Sequence, residues 1–145
     1  MPVNGRQLAA LRAQLAGQPD EHKELLAQLD WSVDAAGYTA LVDAAFSEAV
    51  ERRFNGQTSA EDINAYVADV RARTDRAGEV VDPDAAEWLI GAVLGKSDVE
   101  DLDPRTAITA KQYLLVALVA DAGYDDAALD QFLLDASRLA DQWLA

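Results

Sequence analysis

The chain has no cysteine, a single histidine and a single methionine, and only 7% of its 145 residues are aromatic. Without cysteine there can be neither a disulfide nor a thiolate metal site, and nothing indicates an oxidising compartment. His22 lies among charged residues, so we expect it to be exposed and predict no catalytic triad and no zinc site around it. The N-terminus lacks the continuous apolar run of a signal peptide. We therefore expect a cytoplasmic protein without a cofactor or a bound metal.

Basic residues are also scarce, since 12 Lys and Arg stand against 26 Asp and Glu and give a formal net charge of −14. The imbalance is strongest in residues 79–145, which hold 14 acids and 4 bases. Such a field repels nucleic acid and anionic membranes and attracts basic protein surfaces. The same charge has a simpler interpretation, because it keeps an alanine-rich helical protein soluble. We predict neither a nucleic-acid partner nor a membrane partner.

Strand-forming patterns are missing, because β-branched and aromatic residues are sparse and no segment alternates apolar and polar residues for long. Abundant alanine and helical apolar spacing predict an all-α fold, a compact bundle of six to seven helices that forms a single domain over residues 1–145. The predicted helices are about 5–16, 19–30, 38–54, 59–76, 83–94, 104–121 and 126–144.

Local signals define several boundaries between these helices. We expect a break at 31–37, with Ser32 and Asp34 as turn formers. The sequence TSAE from Thr58 has the pattern of a capping box and predicts the start of the fourth helix. Gly91 lies inside the fifth helix, where glycine costs about 1 kcal/mol relative to alanine, and this indicates close packing of a neighbour.

The segment 113–120 is apolar on every side of a helix. It lies between Asp103 and Pro104, which suit a helix start, and Gly123, which suits a helix end. A helix without a polar face is stable only when other helices cover all its sides, so we expect this segment to be the buried axis of the bundle. It is far too short for the ~20 apolar residues of a membrane span.

Two parts of the chain resemble each other in layout. PDEHKELLAQLD from Pro19 parallels PDAAEWLIGAVL from Pro83, and INAYVAD from Ile63 parallels LDQFLLD from Leu129. One hypothesis is an internal repeat of two three-helix halves, 19–76 and 83–144. The alternative is that any antiparallel bundle repeats such helix lengths, because short loops and core periodicity impose them.

An acidic loop at 97–103 and a group of arginines are the segments with the most charge. The loop does not fit an EF-hand, because neither starting position places a glycine sixth and a glutamate twelfth, and we predict no metal there. The arginines lie near helix C-termini, where they complement the helix dipole, and not at the start of a recognition helix. We predict that Arg52, Arg53 and Arg71 could contact an anion or an acidic partner.

The residues favour a non-catalytic acidic helical domain that acts in protein–protein interaction or regulation, with another protein or a second copy as partner. The last helix, with Trp143 and Leu144 near its end, is a candidate contact surface. A tryptophan exposed together with Tyr38 or Tyr124 would also mark an interface. The alternative is a small-molecule-binding or enzymatic bundle with a pocket between the two halves. A third hypothesis is an acidic mimic of nucleic acid, which requires carboxylates in rows on one face.

Overall fold

Seven α-helices account for most of the residues that the structure describes. The computed structural model describes residues 2–74, 78–97 and 102–145, and no strand occurs in these ranges. The all-α prediction, with six to seven helices, is confirmed for them. The helices are α1 (Gly5–Leu15), α2 (Pro19–Ala27), α3 (Trp31–Arg53), α4 (Ala60–Thr74), α5 (Pro83–Val93), α6 (Pro104–Ala122) and α7 (Asp126–Leu144).

Four helices begin at capping residues, one of which, Asp103, is the helix start that the sequence predicts. Asn4 accepts a hydrogen bond from the Gln7 backbone N–H at 2.9 Å, and the Gln7 side chain accepts one from the Asn4 N–H at 3.1 Å. This reciprocal pair is a capping box, and it satisfies two backbone donors at the start of α1. Asp82, Asp103 and Asp125 cap α5, α6 and α7, each by accepting a bond from a backbone N–H of the first turn.

The predicted break at 31–37 is wrong. Helix α3 begins at Trp31 and continues without interruption to Arg53, while α2 ends at Ala27 and not near 30. Helix α3 begins at Trp31 because the carboxylate of Asp34 accepts a set of hydrogen bonds.

The start of α4 lies one residue later than the capping-box pattern predicts. Ser59 is the cap, since its Oγ accepts a hydrogen bond from the Asp62 N–H at 3.1 Å. Thr58 instead belongs to the preceding turn, where its Oγ1 accepts a bond from the Asn55 N–H at 3.0 Å. The predicted end of this helix falls at 75–77, outside the described residues.

Helix α6 contains the apolar segment 113–120. Its deeply buried members are Leu114, Leu115, Leu118 and Val119, none more than 5% exposed. Val116, in contrast, is 37% exposed, and Ala120 one turn later is exposed as well. The expectation that this segment is buried on every side is therefore wrong. Gly123 ends the helix with φ +66°, a left-handed conformation that glycine adopts without strain. Among the described residues, no helix combines the length and the apolar content needed to cross a bilayer.

The chain divides into two compact units, and the first combines Met1–Glu48 with Ala122–Ala145. It contains α1, α2, most of α3 and all of α7. Helix α1 packs against both α2 and α7, and Arg12 Nε on α1 lies 2.6 Å from Asp130 Oδ1 on α7. The largest fully buried side chains of this unit are Leu11, Leu41 and Phe132.

The second unit is Ala49–Asp121 and contains the end of α3, helices α4 and α5, and most of α6. Helix α4 packs against α5. The largest fully buried side chains of this unit are Ile90, Leu114, Leu115, Val50, Val67, Val70 and Val81. The boundaries of the two units do not follow the proposed repeat of 19–76 and 83–144, and both the repeat and the single domain stay predictions.

Candidate functional site

The first turn of α3 is held by two aspartates. Asp30 immediately precedes the helix, and its Oδ1 accepts hydrogen bonds from the Ser32 backbone N–H at 3.1 Å and from the Ser32 hydroxyl at 2.6 Å. Asp34 reaches back, and its Oδ2 accepts a bond from the Asp30 N–H at 3.0 Å. The two side chains therefore cap the helix reciprocally, which is why α3 begins at Trp31.

The Asp34 carboxylate also joins α3 to α1. It is only 2% exposed, and its Oδ1 accepts bonds from Asn4 Nδ2 at 3.0 Å and from Gln7 Nε2 at 2.9 Å. These bonds, first that from Asn4 and then those from the Asp30 backbone and Gln7, hold the pKa of Asp34 below its usual value against the opposing effect of burial. The carboxylate therefore stays ionised at neutral pH and keeps all its hydrogen bonds.

Gly37 makes room for this arrangement. A Cβ at this position would lie 2.7 Å from Gln7 Nε2 and 2.9 Å from Gln7 Oε1. Gln7 is itself only 3% exposed, and its amide is held on both sides, by Asp34 and by the Asn4 N–H. Glycine thus allows the backbone of α3 to approach the Gln7 amide closely.

Above this support, α3 presents an uncharged surface. Trp31 is 47% exposed and Val33 is 52% exposed. The Trp31 ring packs edge-on against Tyr38, with ring centroids 5.8 Å apart and planes at 87°. Tyr38 is buried, and this burial raises its pKa to about 12. The predicted signal, a tryptophan exposed together with Tyr38, therefore does not occur here, because Trp31 is exposed but Tyr38 is buried.

The sequence from Trp31 to Val42 contains one charged residue, Asp34, and that one is buried. We call the exposed side chains of this stretch the α3 face, and they are Trp31, Ser32, Val33, Ala35, Ala36 and Thr39. An exposed face without charge stands out in a chain whose net charge is −14. Sequence reasoning missed it because it assigned residues 31–37 to a break between helices.

The three arginines predicted to contact an anion make different contacts. The Arg53 guanidinium lies over the rings of Phe54 and Tyr66, 5.6 and 5.2 Å from their centroids. Arg52 is exposed in the last turn of α3. Arg71 lies about 140° around α4 from Tyr66, since each helical residue turns by about 100°.

The Arg71 side chain holds the segment that leads into α5. Its Nε donates to the Val81 carbonyl at 3.0 Å and its Nη2 lies 3.3 Å from the Gly78 carbonyl. The described contacts therefore do not gather Arg52, Arg53 and Arg71 into one cluster, and their role in binding an anion stays a prediction.

A fourth arginine, Arg73 on α4, pairs with a carboxylate of α6. Its two terminal nitrogens donate to the two oxygens of Asp121 at 2.9 and 3.0 Å, and Tyr66 Oη donates to the same carboxylate at 2.9 Å. Arg73 above all, and then Tyr66, lower the pKa of Asp121 against the effect of its burial. This cluster joins α4 to α6, and Asp121 neutralises the charge of Arg73.

The other predicted positions have mixed outcomes. We expected His22 to be exposed, but it is half-buried, because its Nδ1 lies 2.6 Å from the Ala10 carbonyl and pairs with it. Trp143 on α7 is 51% exposed. Most of the predicted acidic loop, 98–101, lies outside the described residues. Elsewhere, over the part of the chain that the structure describes, no three His, Cys, Asp or Glu side chains are placed to hold a metal ion.

Comparison of the chain with protein-family models, with curated proteins and with solved structures gives no significant match. The α3 face and the hydrogen bonds beneath it are the best-defined feature from which a function can be inferred.

Proposed function

We propose that this chain is a non-catalytic interaction domain of the cytoplasm, and that the α3 face binds a protein partner whose apolar contact patch is flanked by Lys and Arg. The observation that carries the proposal is the half-exposed Trp31 in a segment of α3 whose exposed side chains carry no charge. Tryptophan is enriched among the residues that dominate interface energies.

The energy available from this contact is large enough to matter. A fully buried aromatic side chain removes roughly 150–250 Å² from water, so covering the exposed half of Trp31 removes about 100 Å² more. At about 25 cal/mol per Å², this contributes about 2.5 kcal/mol. The corresponding effect on affinity is roughly 50- to 100-fold.

Rigidity supports the same proposal. The Asp34 carboxylate holds the first turn of α3 against Asn4 and Gln7, and Tyr38 packs against the Trp31 ring. A side chain that is already ordered loses little conformational entropy on binding, so more of the contact energy appears as affinity.

Charge favours a basic protein over a second copy or a nucleic acid. Two chains that each carry −14 repel one another, and so does a phosphate backbone. Lys and Arg around an apolar patch would instead be attracted to a chain with a net charge of −14. Association should therefore weaken as the salt concentration rises, because salt screens exposed charges.

The test compares three variants with the wild-type chain. Trp31→Ala truncates the face, Val33→Asp places a charge in it, and Trp143→Ala truncates an equally exposed tryptophan on α7 as a matched control. Proteins captured from the native cell extract at low salt are identified, purified and titrated against each variant by calorimetry. All four chains are first compared by circular dichroism, and we expect similar melting temperatures because the altered side chains are half-exposed.

We expect a basic partner that binds the wild type and Trp143→Ala equally well and binds Trp31→Ala and Val33→Asp at least roughly 50-fold more weakly. Equal binding by all variants would refute the assignment of the α3 face. Loss of binding in Trp143→Ala alone would move the contact surface to α7. Sedimentation that shows a wild-type dimer, dispersed by Val33→Asp, would replace the basic partner with a second copy.

A further inference from the structure

A groove with a volume of about 430 Å³ lies within the second unit, between α4 and α5. It is independent of the α3 face, which belongs to the first unit. Six side chains with polar groups line it, and they are Asn64, Asp84, Glu87, Trp88, Lys96 and Ser97. The volume falls within the range of small-molecule sites.

Two carboxylates give part of the groove a negative charge. Asp84 and Glu87 lie three residues apart on α5 and therefore on the same side of the helix. Burial first, and then the charge of Asp84, raise the pKa of Glu87. When the Asn64 side-chain amide is oriented to satisfy its hydrogen bonds, its nitrogen lies 3.2 and 3.3 Å from the two carboxylate oxygens of Glu87. These amide contacts are long and leave the carboxylates able to accept strong bonds from a cationic group.

Other groups in the groove are hydrogen-bond donors. Lys96 Nζ donates to the Thr58 carbonyl at 2.5 Å and, having three N–H groups, retains two for another acceptor. The Trp88 indole Nε1 is buried and has no hydrogen-bond partner among the described residues. This nitrogen has almost no accessible surface, so the donors that a ligand in the groove can reach are Lys96 and the Ser97 hydroxyl.

Gly91 shapes the same groove. A Cβ at this position would collide with Ser97 Oγ, so glycine lets Ser97 fold back against α5. This is the close approach that the sequence predicts for a glycine inside a helix, and it places the Ser97 hydroxyl in the lining of the groove.

We propose that this groove binds a small zwitterion that carries both an ammonium group and a carboxylate, the chemistry of a free amino acid. The ammonium group lies against Asp84 and Glu87. The carboxylate accepts hydrogen bonds from Lys96 and Ser97. A simple cation would leave these donors unused, and a simple anion would be repelled by the two acids.

The experiment screens the free L-amino acids by thermal shift and then measures binding of each hit by calorimetry. Glu87→Gln removes the charge that faces the ammonium group, and Lys96→Met removes the donor that faces the carboxylate. Glu61→Gln is the matched control, since Glu61 is exposed on α4 and does not line the groove. Each hit is also tested as its decarboxylated amine and as its N-acetyl derivative.

We expect at least one amino acid to raise the melting temperature of the wild type. Its affinity should fall about tenfold or more in Glu87→Gln and in Lys96→Met, as for the loss of a charge-assisted hydrogen bond, and stay unchanged in Glu61→Gln. The amine and the N-acetyl derivative should each bind about tenfold more weakly. Three results would overturn the proposal: no amino acid binds at millimolar concentration, both groove variants bind like the wild type, or the amine alone binds as tightly as the amino acid.

Discussion

Replacement of Gly37 by alanine should destabilise the protein, although alanine is the better helix former. Within a helix, alanine is favoured over glycine by about 1 kcal/mol. The new Cβ would, however, lie 2.7 Å from Gln7 Nε2, and real Cβ atoms do not approach other heavy atoms so closely. Gln7 must then move, which breaks its bonds to Asp34 and Asn4.

The expected magnitude follows from these opposing effects. Forcing an extra methyl group into a packed site costs roughly 1–3 kcal/mol. We therefore expect Gly37→Ala to lower the free energy of unfolding by up to about 2 kcal/mol. In a chain that already carries Gln7→Ala, the obstructing amide is absent. There, Gly37→Ala should raise the free energy of unfolding by up to about 1 kcal/mol, through helix propensity alone.

The assay is urea unfolding of the wild type, the two single variants and the double variant, followed by far-UV circular dichroism. The sign reversal corresponds to a coupling energy of about 2 kcal/mol, within the range measured for residues in contact. Equal m-values in the four chains would show that the variants change stability and not the unfolded state. If Gly37→Ala stabilises the wild type, or destabilises both backgrounds equally, then Gly37 is not needed for the approach of Gln7.

Three further predictions follow from single side chains. Because the pKa of Asp34 is lowered in the folded state, its stabilising effect is complete above about pH 4 and is lost as the pH falls through the folded-state pKa. Asp34→Asn should therefore flatten the acid limb of a plot of stability against pH. An unchanged acid limb would contradict this. Phe132→Ala should lower the free energy of unfolding, measured by chemical denaturation, by about 3–5 kcal/mol, since Phe132 is 0% exposed. Ile108 is 56% exposed, so Ile108→Ala should change this free energy by only about 0.5 kcal/mol. Similar losses in the two variants would be inconsistent with this difference in burial. Tyr66→Phe removes the hydroxyl that donates to Asp121 and should cost about 0.5–1.5 kcal/mol in the same assay, and a variant as stable as the wild type would show that this bond adds nothing.

The sequence predicts best what neighbouring residues decide. The caps Asn4, Asp82 and Asp125 act within three residues of themselves, and a local pattern contains all their partners. The predicted break before α3 is wrong because Ser32 and Asp34 suit the first turn of a helix as well as a loop turn. The partners of Asp34 are Gln7 on α1 and Asn4, the cap of α1, which are 27 and 30 residues away, so a local sequence pattern does not contain them.

The candidate surface was missed for the same reason. Val33 looks like a core residue by its chemistry, and only the packing of α3 leaves it 52% exposed. The arginines show the opposite case, since Arg73 looks available in the sequence yet pairs with Asp121, 48 residues away. Charge and periodicity therefore identify the helices, while the availability of a side chain for binding depends on contacts distant in the sequence.

The discontinuity of the first unit has a consequence for synthesis on the ribosome. Its α1 contacts α7, and Arg12 pairs with Asp130, yet all of Ala49–Asp121 is translated in between. The second unit can thus emerge complete and fold while the N-terminal helices still lack α7, because domains generally fold as units during translation. During this interval the side of α1 that packs against α7 would be exposed. Chaperones should therefore bind ribosome-stalled chains that end before α7, and this binding should end once α7 leaves the exit tunnel.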